Sequence, residues 1–257
     1  MNRLSGKPID TASLVVSAVF LGAVVLGAAW GSAQAVEYFS TADSPPWMSV
    51  FVNYAAMLAA TLTLVLASSM GHVERFGFVM PRLPGGYGAG ITWGILLGAM
   101  ASILNLVAGH GGMLPVGKLT FPQMVLLVWL FASVAEEILV RGYLQSYLEP
   151  LIKRGFSLFR WRLSTPVIIS ALFFAAMHLI LLTRGTPFLM VYVIVVFTFC
   201  LGLVAAYQRE RTGSVLPAIA AHISFNVGGV IGGMVYILIQ VALFGRTAAE
   251  VTRALGG

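Results

Sequence analysis

The sequence predicts an all-α, multi-pass membrane protein of about eight transmembrane helices. Three observations carry that prediction. Only 9% of the 257 residues are charged and 59% are hydrophobic, against roughly 25% charged in soluble domains. Several apolar runs reach the roughly 20 residues that cross a bilayer. The lysines and arginines fall in short connections between those runs, the pattern that orients membrane proteins. The net charge of +6 comes without a basic run interleaved with aromatics, so the expected partner is the lipid bilayer and not nucleic acid. A single cysteine, Cys200, lies in an apolar run and excludes a disulfide framework or a thiolate metal site.

Residues 1–10 are polar, and 11–33 form the first apolar run. Ala33-Gln34-Ala35 has the form of a signal-peptidase site, but the run is longer than a signal core and is read as helix one. A loop at 34–48 with Pro45-Pro46 leads to helix two, 49–70. The next loop, 71–86, carries Arg75 and Arg82, and its prolines interrupt any helix. Helix three is 87–108, and the Gly-rich 109–120 precedes helix four, 121–147. The connection 148–164 is the longest and most basic, with Phe156, Leu158, Phe159 and Trp161 alternating with charges, as in a segment lying in the membrane interface. Helices five and six are 165–182 and 188–207. The tract 214–244 exceeds one untilted crossing of a roughly 30 Å core, and Gly228-Gly229 and Gly232-Gly233 offer a turn within it. It is therefore read as helices seven and eight, with one long tilted helix as the alternative. The whole, 1–257, is expected to be a single integral-membrane domain with a motif-bearing core at about 121–244.

With a cytoplasmic N-terminus, eight helices put both termini and nearly all the basic residues on the cytoplasmic side, leaving only Lys118 and Arg184 opposite and Arg141 within helix four. That asymmetry fits the positive-inside rule.

Ionisable groups in such helices are costly and mark function by default. Glu136 and Glu137 stand side by side in helix four, although the chain has only nine acidic residues. Arg141 follows one turn on, where it can reach Glu137 as an i, i+4 pair. That pairing leaves Glu136 over. His178 lies in helix five, while His222 and Asn226 share a face of helix seven at i, i+4. Taken singly, such a histidine or asparagine reads as inter-helix glue. Their depths agree, however: at 1.5 Å per residue all four groups lie roughly 12–20 Å from the cytoplasmic ends of their helices. One mid-membrane site leaning to the cytoplasmic side is expected. His72 and His110 fall in loops without a role.

A carboxylate and a histidine in a partly dry cavity can bind and deprotonate water. A second histidine and an asparagine can donate to a developing oxyanion. Those are the parts of an amide hydrolase. Glu136, His178 and His222 are also a possible zinc ligand set, though the His-Glu-x-x-His signature is absent.

Glu136-Glu137-x-x-x-Arg141, Phe174-x-x-x-His178 and His222-x-x-x-Asn226 together resemble the three motifs of the CAAX-protease and bacteriocin-processing (CPBP, or Abi) family. That family includes the prenyl-protein endopeptidases that remove the last three residues after prenylation. The resemblance implies that Glu136 activates water with help from His178, and that His222 and Asn226 form the oxyanion hole. Glu137 and Arg141 would orient the site, and Phe174 would pack beside it. It also implies a membrane-associated peptide or protein substrate, met from the cytoplasmic side of a bacterial plasma membrane. No cofactor is required in this mechanism, while a divalent metal such as zinc is the rival view. The alternative functions are a non-catalytic scaffold or peptide-toxin immunity protein, and a proton-coupled transporter built on the same Glu/His chain.

Overall fold

The computed structural model describes residues 10–41, 43–82, 86–109, 119–158, 161–247 and 250–251. The basic residues Arg3, Lys7, Lys118, Arg160 and Arg253, together with His110 and Phe159, lie outside them.

Among the described residues, seven helices are long and apolar enough to cross a membrane: α1 Thr11–Phe39, α2 Met48–Ser69, α3 Gly88–Val107, α4 Phe121–Tyr147, α5 Thr165–Arg184, α6 Phe188–Thr212 and α7 Leu216–Phe244. The multi-pass all-α membrane fold is as expected. Local signals fix several starts. Asp10 accepts from the Ala12 amide ahead of α1, and Ser164 accepts from the Val167 amide ahead of α5, with Pro166 in the first turn. The Gln123 side chain reaches back to the Thr120 amide at the start of α4. Gly213, at φ +73°, ends α6 in the left-handed conformation that L side chains resist.

The expected turn at Gly228-Gly229 does not form. Helix α7 is continuous over 29 residues, roughly 43 Å by its rise, so the bundle has seven spans and not eight. The glycines serve packing instead. Parallel helices α3 and α7 meet along a seam of small residues, and the contact is too close for side chains. A Cβ on Gly94 would lie 2.3 Å from the Ala221 carbonyl oxygen, and one on Gly98 would lie 2.0 Å from that of Phe225. From the other side, a Cβ on Gly228 or Gly232 would lie 2.3 or 2.4 Å from the carbonyl oxygen of Ile95 or Ala99. Where lipid is as apolar as the side chains, such backbone approach is what holds helices together.

An odd number of crossings puts the start of α1 and the end of α7 at opposite ends of the bundle. This helix count does not itself put the two expected cytoplasmic termini on one side, and Arg246 lies at the end that holds Arg184. The basic asymmetry survives. Arg75, Arg82, Lys153, Arg154, Arg162, Arg209 and Arg211 all lie at or beyond helix ends on one side, here the basic end.

The connection 148–164 is a short 3-10 turn, Glu149–Leu151, followed by a hairpin of β1 Gly155–Leu158 and β2 Trp161–Ser164. The strands pair antiparallel in the register Gly155↔Ser164, Phe156↔Leu163. The alternation read above as an interfacial segment is the period-two pattern of a strand. Arg154 reaches Thr11 at the start of α1, and Ser164 donates to Glu210 of α6, so the hairpin is tied to the basic end.

Candidate active site

The site is built on α4. Its backbone is π-helical over Met124–Ala132 and Ile138–Leu144, with an α-helical stretch Ser133–Glu137 between. Single π turns inside helices collect at functional sites, and both carboxylates sit at this junction. Glu137 and Arg141 are fully buried. Arg141 Nη1 donates to Glu137 Oε1 at 2.9 Å, and Nη2 donates to the Gly202 carbonyl of α6 at 3.1 Å. One turn on, Gln145 Nε2 donates to the Ala206 carbonyl at 2.9 Å. Helix α4 thus grips two successive turns of α6. On its other side Gly202 lets α6 lie close to α5, since a Cβ there would stand 3.0–3.1 Å from Ala171.

The same oxygen, Glu137 Oε1, accepts from His222 Nδ1 at 3.0 Å. A carboxylate only accepts, so Nδ1 carries the hydrogen and the ring is aimed by that bond. Its far nitrogen, Nε2, lies 3.9 Å from Glu136 Oε2. Asn226, one turn along α7, donates from Nδ2 to Ser133 Oγ at 3.2 Å. The pair Ser133 and Glu137, one turn apart on α4, therefore holds the pair Asn226 and His222, one turn apart on α7.

On α5 the α-helix ends at Met177 and tightens to a 3-10 turn from His178. The His178 amide bonds to Ala175 and Ala176 in place of Phe174, and the Phe174 carbonyl accepts instead from His178 Nδ1 at 2.8 Å. That fixes the tautomer and leaves Nε2 as the basic nitrogen. The Phe174 ring, fully buried, lies edge-to-face with His178 at 5.2 Å and with His222 at 5.3 Å. The Arg141 guanidinium sits 4.4 Å above it. One aromatic ring spaces both histidines and the arginine.

Glu136, His178, His222 and Asn226 all line one cavity of about 400 Å³. The structure brings the four residues together, with Glu137, Arg141 and Phe174 behind them. It adds two that sequence reasoning passed over. Ser133 positions Asn226, and the only signal for it was its place one turn before Glu137. Tyr54 of α2 faces the Glu136 carboxylate, and a lone tyrosine in an apolar helix gave no signal.

The cavity does not open toward the basic end, the end that the sequence reading takes as cytoplasmic. Much of its remaining wall comes from Trp30, Ala33 and Glu37 of α1, Ser49, Asn53 and Met57 of α2, and Leu181 and Arg184 of α5. All of these belong to the half of the bundle away from the basic end. Ala33, read as part of a possible cleavage motif, is here a buried wall residue inside α1. The basic end has its own cavity, lined by Arg75, Arg82, Gln145 and Arg209 among others, and the two share no lining residue. Among the described residues, no three His, Cys, Asp or Glu side chains are grouped as a metal would require, so no step below is routed through a metal.

Residues 118–228 match the family model for type II CAAX prenyl endopeptidase Rce1-like. The matched segment contains every candidate site residue from Ser133 to Asn226, and its similarity supports an assignment to the CAAX-protease and bacteriocin-processing family, a family of peptidases. Comparison with curated proteins and with solved structures finds no match.

Proposed function

We propose that this protein is an intramembrane endopeptidase that hydrolyses a peptide bond of a membrane-associated substrate with a water activated by Glu136. The observation that carries the reading is the convergence of Glu136, His178, His222 and Asn226 on one buried cavity, with His222 aimed from behind by the Glu137–Arg141 pair. A neutral packing network would not leave a carboxylate and a basic imidazole nitrogen facing a cavity.

In this mechanism Glu136 takes the proton from water as the oxygen attacks the scissile carbonyl, and His178 Nε2 accepts a hydrogen bond that orients the water. The oxyanion is met by Asn226 Nδ2 and by His222 Nε2. Since His222 Nδ1 is committed to Glu137, donation from Nε2 requires the doubly protonated ring, held between two carboxylates. Glu136 then delivers its proton to the leaving amine. The positive-inside rule makes the basic end cytoplasmic, so in a bacterial plasma membrane the cavity opens away from the cytoplasm. Substrate meets it from that side or from the outer half of the bilayer.

The test is cleavage of a peptide library, including lipid-modified peptides, by purified protein in nanodiscs. Glu136→Gln should lower the rate by about 10²–10⁴-fold with little change in thermal unfolding, and His222→Ala comparably, with a loss of stability for its bond to Glu137. Retained activity in Glu136→Gln would sink the mechanism. Activity lost to chelator and restored by zinc would make the same residues metal ligands.

A further inference from the structure

The cavity at the basic end encloses about 550 Å³, within the roughly 300–1,000 Å³ of small-ligand sites, and hydrolysis makes no use of it. Its wall carries three arginines, Arg75, Arg82 and Arg209, and three carboxylates, Glu74, Glu149 and Glu210. Among the described residues none of these arginines forms an ion pair. Glu74 is met by His72 and Glu210 by the Ser164 hydroxyl, while the Glu149 carboxylate has no hydrogen bond among the described residues. Both signs of charge line one space without pairing.

Two of the arginines are seated by the fold. Arg209 Nη2 donates to the Arg75 carbonyl at 3.2 Å and to Ser146 Oγ at 3.1 Å. Its guanidinium lies against Gly77, where a Cβ would stand 2.5 Å from Nε, and Arg82 Nε lies 3.4 Å from where a Cβ of Gly213 would be. The segments that carry them are tied together. The Arg82 amide donates to the Thr212 carbonyl, and the Val215 amide donates to the Gly77 carbonyl, each at 3.1 Å.

Two buried atoms of these lining residues lack partners, and they are of opposite kinds. Gln145 is 5% exposed. Its Nε2 is committed to the Ala206 carbonyl, so the other atom is an acceptor, Oε1, and it has no donor. Arg209 Nε is a donor without an acceptor. Buried polar groups left unmet are costly. Water would satisfy both atoms but brings no charge to either set of side chains.

We propose that this cavity binds a membrane lipid through a headgroup that carries both a phosphate and a primary ammonium, the phosphoethanolamine group. The phosphate lies among the arginines and accepts from them, and the ammonium donates to Gln145 Oε1 and Glu149. The end of α4, the start of α5 and the end of α6 all contribute to the wall, so the cavity stands at the level of lipid headgroups. Basic pockets at the cytoplasmic ends of membrane helices commonly take anionic headgroups. Here such a headgroup would set its charge against three carboxylates with nothing to offer them.

The experiment titrates full-length protein in lipid-free micelles with phosphatidylethanolamine, with phosphatidylcholine, whose methylated nitrogen cannot donate, and with phosphatidylglycerol, which has no cation. The bound fraction is read by native mass spectrometry. Phosphatidylethanolamine should bind at least about tenfold tighter than either of the others, as expected for a charge-assisted hydrogen bond, and should raise the midpoint of thermal unfolding. Arg82 and Glu149 are exposed, so the midpoint of each variant without lipid should match the wild type. Arg82→Gln should weaken all three lipids alike, because all carry the phosphate. Glu149→Gln should lower the preference for phosphatidylethanolamine while leaving phosphatidylglycerol bound at least as well. Equal binding of the three lipids, tighter binding of phosphatidylglycerol, or a preference undiminished in Glu149→Gln would overturn the proposal. Free phosphoethanolamine should compete only at far higher concentration than the lipid. Competition at equal concentration would overturn the lipid as the source of the headgroup.

Discussion

Helices α4 and α7 both bring residues to the cavity floor, and the bundle holds them by different means. Helix α4 is held by charge and hydrogen bonds. Arg141 and Gln145 donate to two carbonyls of α6, and the guanidinium is neutralised by Glu137 beneath it. Helix α7 is held by shape, with glycines of α3 and α7 bringing backbone against backbone. Among the described residues the two are joined by two hydrogen bonds, His222 to Glu137 and Asn226 to Ser133, with His222 Nε2 also 3.9 Å from Glu136. A polar grip suits the helix that must bury two carboxylates, because each charge needs partners wherever it stands. A glycine seam suits the helix that must be set at a fixed depth, because close packing allows one register.

Removing the charge beneath the polar grip should have the largest effect. Glu137→Ala leaves Arg141 buried without a counter-charge and should cost about 3–5 kcal/mol of stability, read as a lower midpoint of thermal unfolding in micelles. The double variant Glu137→Gln/Arg141→Met should lose less than the sum of its parts, since the two residues act as one unit. An unchanged midpoint in Glu137→Ala would mean that α4 is held by packing alone, and the contrast with α7 would disappear.

The seam is the next target. Gly98→Leu forces a side chain where Phe225 stands and should cost about 1–3 kcal/mol. It should lower the cleavage rate by displacing His222 and Asn226. A Gln145→Cys/Ala206→Cys crosslink, made in a Cys200→Ser background, should still form, because α4 and α6 do not depend on the seam. Loss of that crosslink would show the two modes of attachment to be coupled.

Smaller effects sharpen the comparison. Ser133→Ala removes one inter-helix hydrogen bond, worth about 0.6–1.7 kcal/mol in membranes. Cleavage should slow by up to about tenfold while unfolding barely shifts, because Asn226 is released but α7 stays seated. Gln145→Leu should cost about 0.6 kcal/mol and leave the rate unchanged, since Gln145 grips α6 without touching the site. A rate loss in Gln145→Leu as large as that in Ser133→Ala would make the lower half of the grip part of the site's alignment.

The membrane fold, and the polar residues that it brings together as a candidate site, were legible in the sequence for one reason: polar groups in apolar helices are expensive, so those present stand out. Glu136, Glu137, Arg141, His178, His222 and Asn226 could each be marked without a structure, and their matching depths pointed to one layer. Ser133 and Tyr54 were not marked, because a small hydroxyl or a phenol in a membrane helix is cheap and common. The hairpin after α4 was missed although its alternation was noticed, because charges set among aromatics also describe an interfacial segment.

What the sequence determined by itself was composition along a line: which stretches are apolar enough to span, where the basic residues fall, and which turns carry groups that need partners. What only the tertiary structure decided was how the glycines are used and which way the cavity faces. A glycine permits a turn and permits close approach equally well, and only the presence of α3 against α7 selects the second. The depth of a residue along its helix says how far it lies from each end but not which end the surrounding helices leave open. That choice was made by α1, α2 and α5, whose halves away from the basic end line the cavity.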